Sequence, residues 1–286
     1  MARSGPSRSR AACRAVATVG ILAASMTAVS CAMSMQQEVA MGHTYAAQID
    51  TQLPIIRDAQ VNQYINALGQ SLAKGADTRA LTWHFAVVDS KEVNAFAVPG
   101  GWIYINRGLI ERAQTMSQVA GVLGHEIGHV TLRHSVQQMQ QSDQMNGGLV
   151  ALCTLTKVCA SGAGQAVIGL GTNALFASFS RQDEAQADDQ GVKNAVRAGI
   201  DPNGVPAMFR ILLSARQGNP TAVDAWFATH PLDEDRIAAT TKQIAAYPPS
   251  ALRNLQVDSD AFQSFKRRMQ SLPPSPVPKA VAGKTH

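Results

Sequence analysis

The chain has 286 residues and a formal charge of +5, with 45% hydrophobic and 16% charged residues. That length accommodates one large domain with a substantial core. The first 30 residues hold Arg3, Arg8, Arg10 and Arg14 and no acid; without them the balance is 5 − 4 = +1, so the basic character points to no nucleic-acid partner.

The four arginines precede a mostly apolar stretch, residues 15–29, in the layout of a secretory leader. It is shorter than the about 20 residues of a spanning helix. No Arg-Arg pair is present in the first 30 residues, which favours general secretion over the twin-arginine route. Small residues at Ala28 and Ser30 set cleavage after residue 30, with Cys31 first in a mature chain of 286 − 30 = 256 residues. Cys153 and Cys159 are expected to pair in an exported protein. Cys31 is then the odd cysteine and the expected site of a lipid anchor, although Ala28 stands where bacterial lipoproteins usually have leucine. Simple secretion as a soluble periplasmic protein is the alternative. Ala32 follows Cys31 where an aspartate would signal inner-membrane retention, which favours the periplasmic face of the outer membrane.

Residues 36–49 and 58–74 read as helices separated by Leu53-Pro54. Residues 83–89 carry the aromatic and β-branched content of a strand. Residues 95–98 and 102–106 flank Pro99-Gly100-Gly101, a tight turn, and an exposed strand edge there can bind an extended peptide by strand addition. A helix is expected over 117–141. Residues 142–180 are rich in glycine and alanine, and read equally as a mobile flap or as a closely packed helical hairpin. A later helix carries Glu184, and Pro202 and Pro231 each start another. From Pro273 the tail is Pro-rich and expected to be disordered, so the domain reading is 1–30 leader, 31–272 a single domain and 273–286 tail.

The chemistry concentrates in His125-Glu126-Ile127-Gly128-His129. On a helix, positions four apart return to within about 40° of each other, so both imidazoles leave one face, as a tetrahedral zinc site needs. Glu126 stands about 100° from His125, beside the metal, where it can take a proton from water. Two histidines do not close a catalytic zinc site, so a third ligand is required. It is not in an HExxHxxGxxH extension, because Leu132 and Ser135 occupy those positions. His134 lies about 140° from His129 on a continuous helix and points elsewhere. Glu184 and Asp188 are four apart in a later helical segment, where Glu184 can ligate and Asp188 can accept the free N–H of a ligand histidine. An ordinary solvated acidic face is the competing reading of that run.

HEIGH, the run Ser180-Arg181-Gln182-Asp183-Glu184-Ala185-Gln186-Ala187-Asp188 and the upstream Asn94-Ala95-Phe96-Ala97-Val98-Pro99-Gly100-Gly101 together resemble the HtpX/BepA-like family of gluzincin metallopeptidases. The likeness runs over about residues 36–269, and is to a periplasmic lipoprotein type without transmembrane helices or C-terminal repeats. It implies an α+β, predominantly helical zincin-like domain with a small sheet beside the HExxH helix. It implies one Zn²⁺ per chain on His125, His129 and Glu184, with Glu126 as general base and Asp188 as the aspartate of the ExxxD element. Thr229-His230-Pro231 and Arg236 match a further family element. His230 can donate to an oxyanion or ligate zinc in a resting state, and Arg236 can stabilise the same charge or brace the loop. The resemblance implies a zinc endopeptidase acting on misfolded or unassembled envelope proteins. The competing class is a chaperone-like lipoprotein that holds unfolded chains in the same groove without cleaving them.

Overall fold

The computed structural model describes residues 33–142 and 178–276. Residues 1–32 with Cys31, residues 143–177 with Cys153 and Cys159, and everything after residue 276 lie outside the described residues, and with them the expectations for a leader and its cleavage, lipidation, disulfide pairing and a flap.

Helix α1 spans Met35–Gln52 and opens on a capping box, in which the Ser34 hydroxyl accepts from the Gln37 amide and the Gln37 side chain accepts from the Ser34 amide. Helix α2 spans Ala59–Ala73, where Asp58 caps the amides of Gln60 and Val61. Its buried residues Val61, Ile65, Leu68 and Leu72 recur at helical spacing and form one stripe. Three short strands follow: β1 His84–Val88, β2 Ala95–Val98 and β3 Trp102–Asn106. Their order is β1-β3-β2, with β1 parallel and β2 antiparallel to β3. The β2–β3 turn needs two residues in the left-handed region, and glycine supplies both, at φ +84° for Gly100 and +102° for Gly101.

Strand alternation splits the sheet's residues between two clusters. Phe85, Val87, Ala95, Ala97, Ile103 and Ile105 join the main core with α2. Val88, Phe96, Val98 and Tyr104 join Ile49 of α1 on the other face. Helix α3, Arg107–Arg112, runs directly out of β3. Helix α4, Met116–Thr131, is buried at every position from Met116 to Val130. It packs against α2, β2, β3, and two later helices, α5 (Arg181–Arg197) and α6 (Gly204–Gly218). A 3₁₀ turn at Pro220–Ala222, α7 (Asp224–Thr229), α8 (Glu234–Ala245) and α9 (Asp260–Ser271) complete the described chain. The fold is therefore α+β and predominantly helical, with a small sheet beside the HExxH helix. Among the described residues no helix is long and apolar enough to cross a membrane.

Three local expectations are corrected. The HExxH helix does not run to residue 141. It stops at Thr131, Arg133 turns through φ +61°, and a separate helical stretch begins at residue 134. Pro202 and Pro231 precede helices without starting them; α6 begins at Gly204, and α8 at Glu234 with Asp233 as its cap. The chain from Pro273 stays docked for a few residues: Arg107 Nη1 donates to the Pro273 carbonyl at 2.7 Å, and the Ser275 hydroxyl donates to Asp89 at 2.6 Å.

Candidate metal centre

Two helices build the site because their backbones can touch. A Cβ on Gly128 of α4 would sit 3.0 Å from the Ala187 carbonyl oxygen of α5, and one on Gly191 of α5 would sit 3.2 Å from the His125 amide nitrogen. Small residues at this crossing let short side chains from both helices reach a common point. The start of α5 is fixed by Ser180, which caps the Asp183 amide at 3.1 Å while Asp183 accepts from the Ser180 amide at 3.1 Å. Glu184 follows one residue later and turns inward.

His125, His129, Glu184 and His230 are all buried, and one ligand atom from each lies within 4.8 Å of the others. His125 Nε2 is 3.0 Å from His129 Nε2 and 3.4 Å from His230 Nδ1. Glu184 Oε1 is 3.3 Å from His129 Nε2 and 3.0 Å from His230 Nδ1, and Oε2 is 3.6 Å from His125 Nε2. A tetrahedron with zinc bonds of about 2.0–2.1 Å has edges of about 3.3 Å. The observed separations bracket that value, so this donor set fits a four-coordinate metal. Burial holds His129 well below the usual imidazole range, which keeps it neutral with a lone pair to offer. Burial pushes the Glu184 carboxyl upward, but the nearby His230 and His125 outweigh it and hold the group well below the usual carboxylate range.

Glu126 lies beside this group. Among the described residues neither carboxylate oxygen has a hydrogen-bond partner, although Oε1 is 3.5 Å from His230 Nε2. A buried carboxylate without donors is costly, and burial raises its pKa. Such a group is poised to accept a proton from a molecule brought to it.

Asp188 sits behind His125, whose Nδ1 donates to Asp188 Oδ1 at 2.8 Å, leaving Nε2 to face the cluster. Arg236 grips Asp188 with two bonds, Nε to Oδ2 at 2.8 Å and Nη2 to Oδ1 at 2.7 Å. Its Nη1 donates to the Pro231 carbonyl at 2.7 Å and makes an ion contact with Glu184 Oε2, outside hydrogen-bond geometry. The arginine thus ties α8 to Glu184 and Asp188 of α5 and to the loop that carries His230. All seven residues singled out from the sequence converge: His125, Glu126, His129, Glu184, Asp188, His230 and Arg236.

Other residues of the site were not read from the sequence. Phe179 stacks on His129 with ring centroids 3.9 Å apart, and Trp226 stacks on His230 at 4.5 Å. Trp226 precedes His230 by four residues, a helical spacing that carried a signal. His134 does not point away: its Nδ1 lies 3.0 Å from His129 Nδ1, because the helix breaks before it. Its Nε2 lies 3.0 Å from Gln186 Oε1.

The sequence matches the profile of peptidase family M48 over residues 59–244. It is 34% identical over 249 residues to the beta-barrel assembly-enhancing protease of Escherichia coli O157:H7, covering 85% of this chain and 50% of that protein. It is 30% identical over 236 residues to the putative beta-barrel assembly-enhancing protease of Vibrio cholerae, covering 79% and 48%. It is 30% identical over 206 residues to the mitochondrial metalloendopeptidase OMA1 of Danio rerio, covering 68% and 42%. The chain spans about half the length of these relatives. It belongs to peptidase family M48.

Proposed function

We propose that this M48 family member is a zinc-dependent endopeptidase that cleaves misfolded or unassembled envelope proteins in the periplasm. In this reading a lipid on Cys31 holds it to the periplasmic face of the outer membrane. The observation that carries the peptidase reading is the buried His125, His129, Glu184 and His230 cluster, with the Glu126 carboxylate at its side lacking a hydrogen bond among the described residues. Two imidazoles and a carboxylate at tetrahedral spacing suit zinc among the common metals. When bound, zinc supplies Lewis acidity, polarising a scissile carbonyl and lowering the pKa of water to about 7.

Glu126 takes the proton of the attacking water and passes it to the leaving amine. His125 and His129 would hold the metal through Nε2, with Glu184 as the third ligand. Asp188 fixes the His125 tautomer, and Arg236 holds Asp188 and the His230 loop in register. His230 Nδ1 fills the fourth corner of the donor set. As a fourth ligand His230 would close the site in a resting state; away from that corner it could donate to an oxyanion and leave the open position that catalysis needs.

The sheet supplies a peptide-binding edge. The outer carbonyls along β1 are already taken: Trp83 by Gln70 at 2.8 Å, Phe85 by Asn66 at 3.0 Å and Val87 by the Ile56 amide at 2.9 Å. β3 is central, which leaves β2. The bond from the Asn106 amide to the Asn94 carbonyl sets the ladder's alternation, and turns the peptide groups of Ala95 and Ala97 outward. Strand addition there fixes a substrate by its backbone, which suits unfolded chains of varied sequence. The expectation of an exposed edge is corrected, however: all four β2 residues are buried, so the cleft must open before a peptide enters.

The test is Glu126→Gln. It should keep zinc and lose proteolysis by about 10²–10⁴-fold, the usual cost of removing a general base. Mass spectrometry of envelope proteins retained by the variant identifies substrates. Near-wild-type casein cleavage by zinc-loaded Glu126→Gln protein would sink the mechanism. Binding without metal-dependent cleavage by the wild type would favour the chaperone-like alternative.

A further inference from the structure

We propose that His134 is a positioning residue for His129, brought beneath it by the left-handed turn at Arg133. The inference rests on the metal-site reading above, in which His129 Nε2 faces the ligand cluster. A neutral imidazole that offers its Nε2 lone pair carries its proton on Nδ1. That Nδ1–H points at His134 Nδ1, 3.0 Å away. Only one proton can lie between the two nitrogens, so His134 Nδ1 is the acceptor. The His134 proton is then on Nε2, where Gln186 Oε1 accepts it at 3.0 Å and Asp183 Oδ1 stands further off at 3.7 Å. Every donor in this relay meets an acceptor, and one tautomer per ring satisfies it. The two histidines of the HExxH motif are therefore held differently, His125 by a carboxylate and His129 by a neutral ring.

The backbone is arranged for this contact. A continuous helix would carry His134 about 140° from His129. The chain instead passes through φ +61° at Arg133, a region that side chains with a Cβ rarely adopt. Such outliers persist where the surroundings over-determine them. Here Arg133 Nε donates to Glu38 Oε2 at 2.8 Å and Nη2 to the Met33 carbonyl at 2.6 Å. Glu38 is fully buried and is also held by Arg79 Nη1 at 3.0 and 3.1 Å. Arg79 Nη2 donates to the Val130 carbonyl at 2.8 Å, at the end of α4 itself. Two arginines and one buried acid thus fix the point at which α4 stops and His134 turns back. His134 is 1% exposed, so the ring is shielded from bulk water.

Zinc affinity by chelator competition separates positioning from packing. His134→Leu fills the space without an acceptor, and should weaken zinc binding by about 10–100-fold, the range for losing a partner of a ligand histidine. His134→Asn puts an amide oxygen near the Nδ1 position and should recover most of that loss. The ring itself can be read in zinc-loaded Glu126→Gln protein labelled with ¹⁵N-histidine, so the test does not depend on either His134 variant folding. His134 should show an unprotonated Nδ1 and a protonated Nε2. A protonated His134 Nδ1, wild-type zinc affinity in His134→Leu, or equal losses in the Leu and Asn variants would each overturn the proposal while leaving the metal site intact. A wild-type protein that binds no zinc would overturn the site reading and this inference with it.

Discussion

Replacing Arg236 with methionine tests how the site is held before any metal enters. The guanidinium is 10% exposed and its partners Glu184 and Asp188 are 0% and 5% exposed. The substitution removes both bonds to Asp188, the bond to the Pro231 carbonyl, the ion contact with Glu184 and a cation–π contact with Phe209 at 4.7 Å. Removing one partner of a buried ion pair costs about 3–5 kcal/mol, since the other is left uncompensated. Asp188 keeps the His125 N–H, and Glu184 keeps His230, which puts the loss at the lower end, about 3 kcal/mol. At roughly 2–4 °C per kcal/mol for a chain of this size, the melting temperature should fall by roughly 6–12 °C. The assay is thermal unfolding of EDTA-dialysed protein by circular dichroism, in low and in high salt. The fall should be nearly the same in both, because buried pairs are poorly screened. Arg236→Lys should recover only part of it, since one ammonium cannot serve both Asp188 oxygens and the Pro231 carbonyl together. A methionine variant that melts within about 2 °C of wild type would refute the clamp.

Asp188→Asn should weaken zinc affinity by about 10–100-fold in chelator competition, because the His125 tautomer loses its carboxylate; unchanged affinity would show that His125 needs no such partner. Asp183→Ala should leave zinc content unchanged and lower stability by about 0.5–2 kcal/mol in urea, since Asp183 closes the α5 capping box; zinc loss in this variant would put the third ligand in the wrong place. Gly42→Ala should destabilise by about 1–3 kcal/mol instead of gaining helix propensity. Its Cβ would lie 2.0 Å from the Pro99 carbonyl oxygen, and a stabilised variant would show that α1 does not press on the β2–β3 turn.

Much of the site was legible because its spacing is local. His125 and His129, and Glu184 and Asp188, are pairs four apart, and helical geometry alone turns each pair to one side. The strands around Pro99-Gly100-Gly101 were equally local, since glycines mark the turn. What failed to show was non-local. The parallel pairing of β1 with β3 follows no turn, and α3 is six residues long, too short for a periodic signal. The helix break at Arg133 has neither glycine nor proline at the break; it is enforced by Glu38, 95 residues away in sequence. His134 was misread for that reason alone. Extrapolating 3.6 residues per turn is sound only as far as the helix continues.

Asp183, Glu184 and Asp188, three of the four acids of α5, illustrate what coordinates add to spacing. Helical angles separate Asp183 from Glu184 by about 100° but bring Asp188 back beside Glu184, so spacing cannot decide which of the latter two faces a metal. Their hydrogen bonds can. Asp188 accepts from His125 Nδ1 and twice from Arg236, so both of its oxygens are already engaged by donors. Asp183 has Oδ2 engaged by the Ser180 hydroxyl and amide at the helix start. Of the three, only Glu184 presents oxygens to the cluster-facing nitrogens, His125 Nε2, His129 Nε2 and His230 Nδ1, with Oε2 lacking any hydrogen bond among the described residues. A buried, strongly acidic carboxylate with lone pairs left over, at tetrahedral spacing from neighbouring nitrogens, is what a third ligand requires. A carboxylate saturated by an arginine fork is what an orienting partner requires.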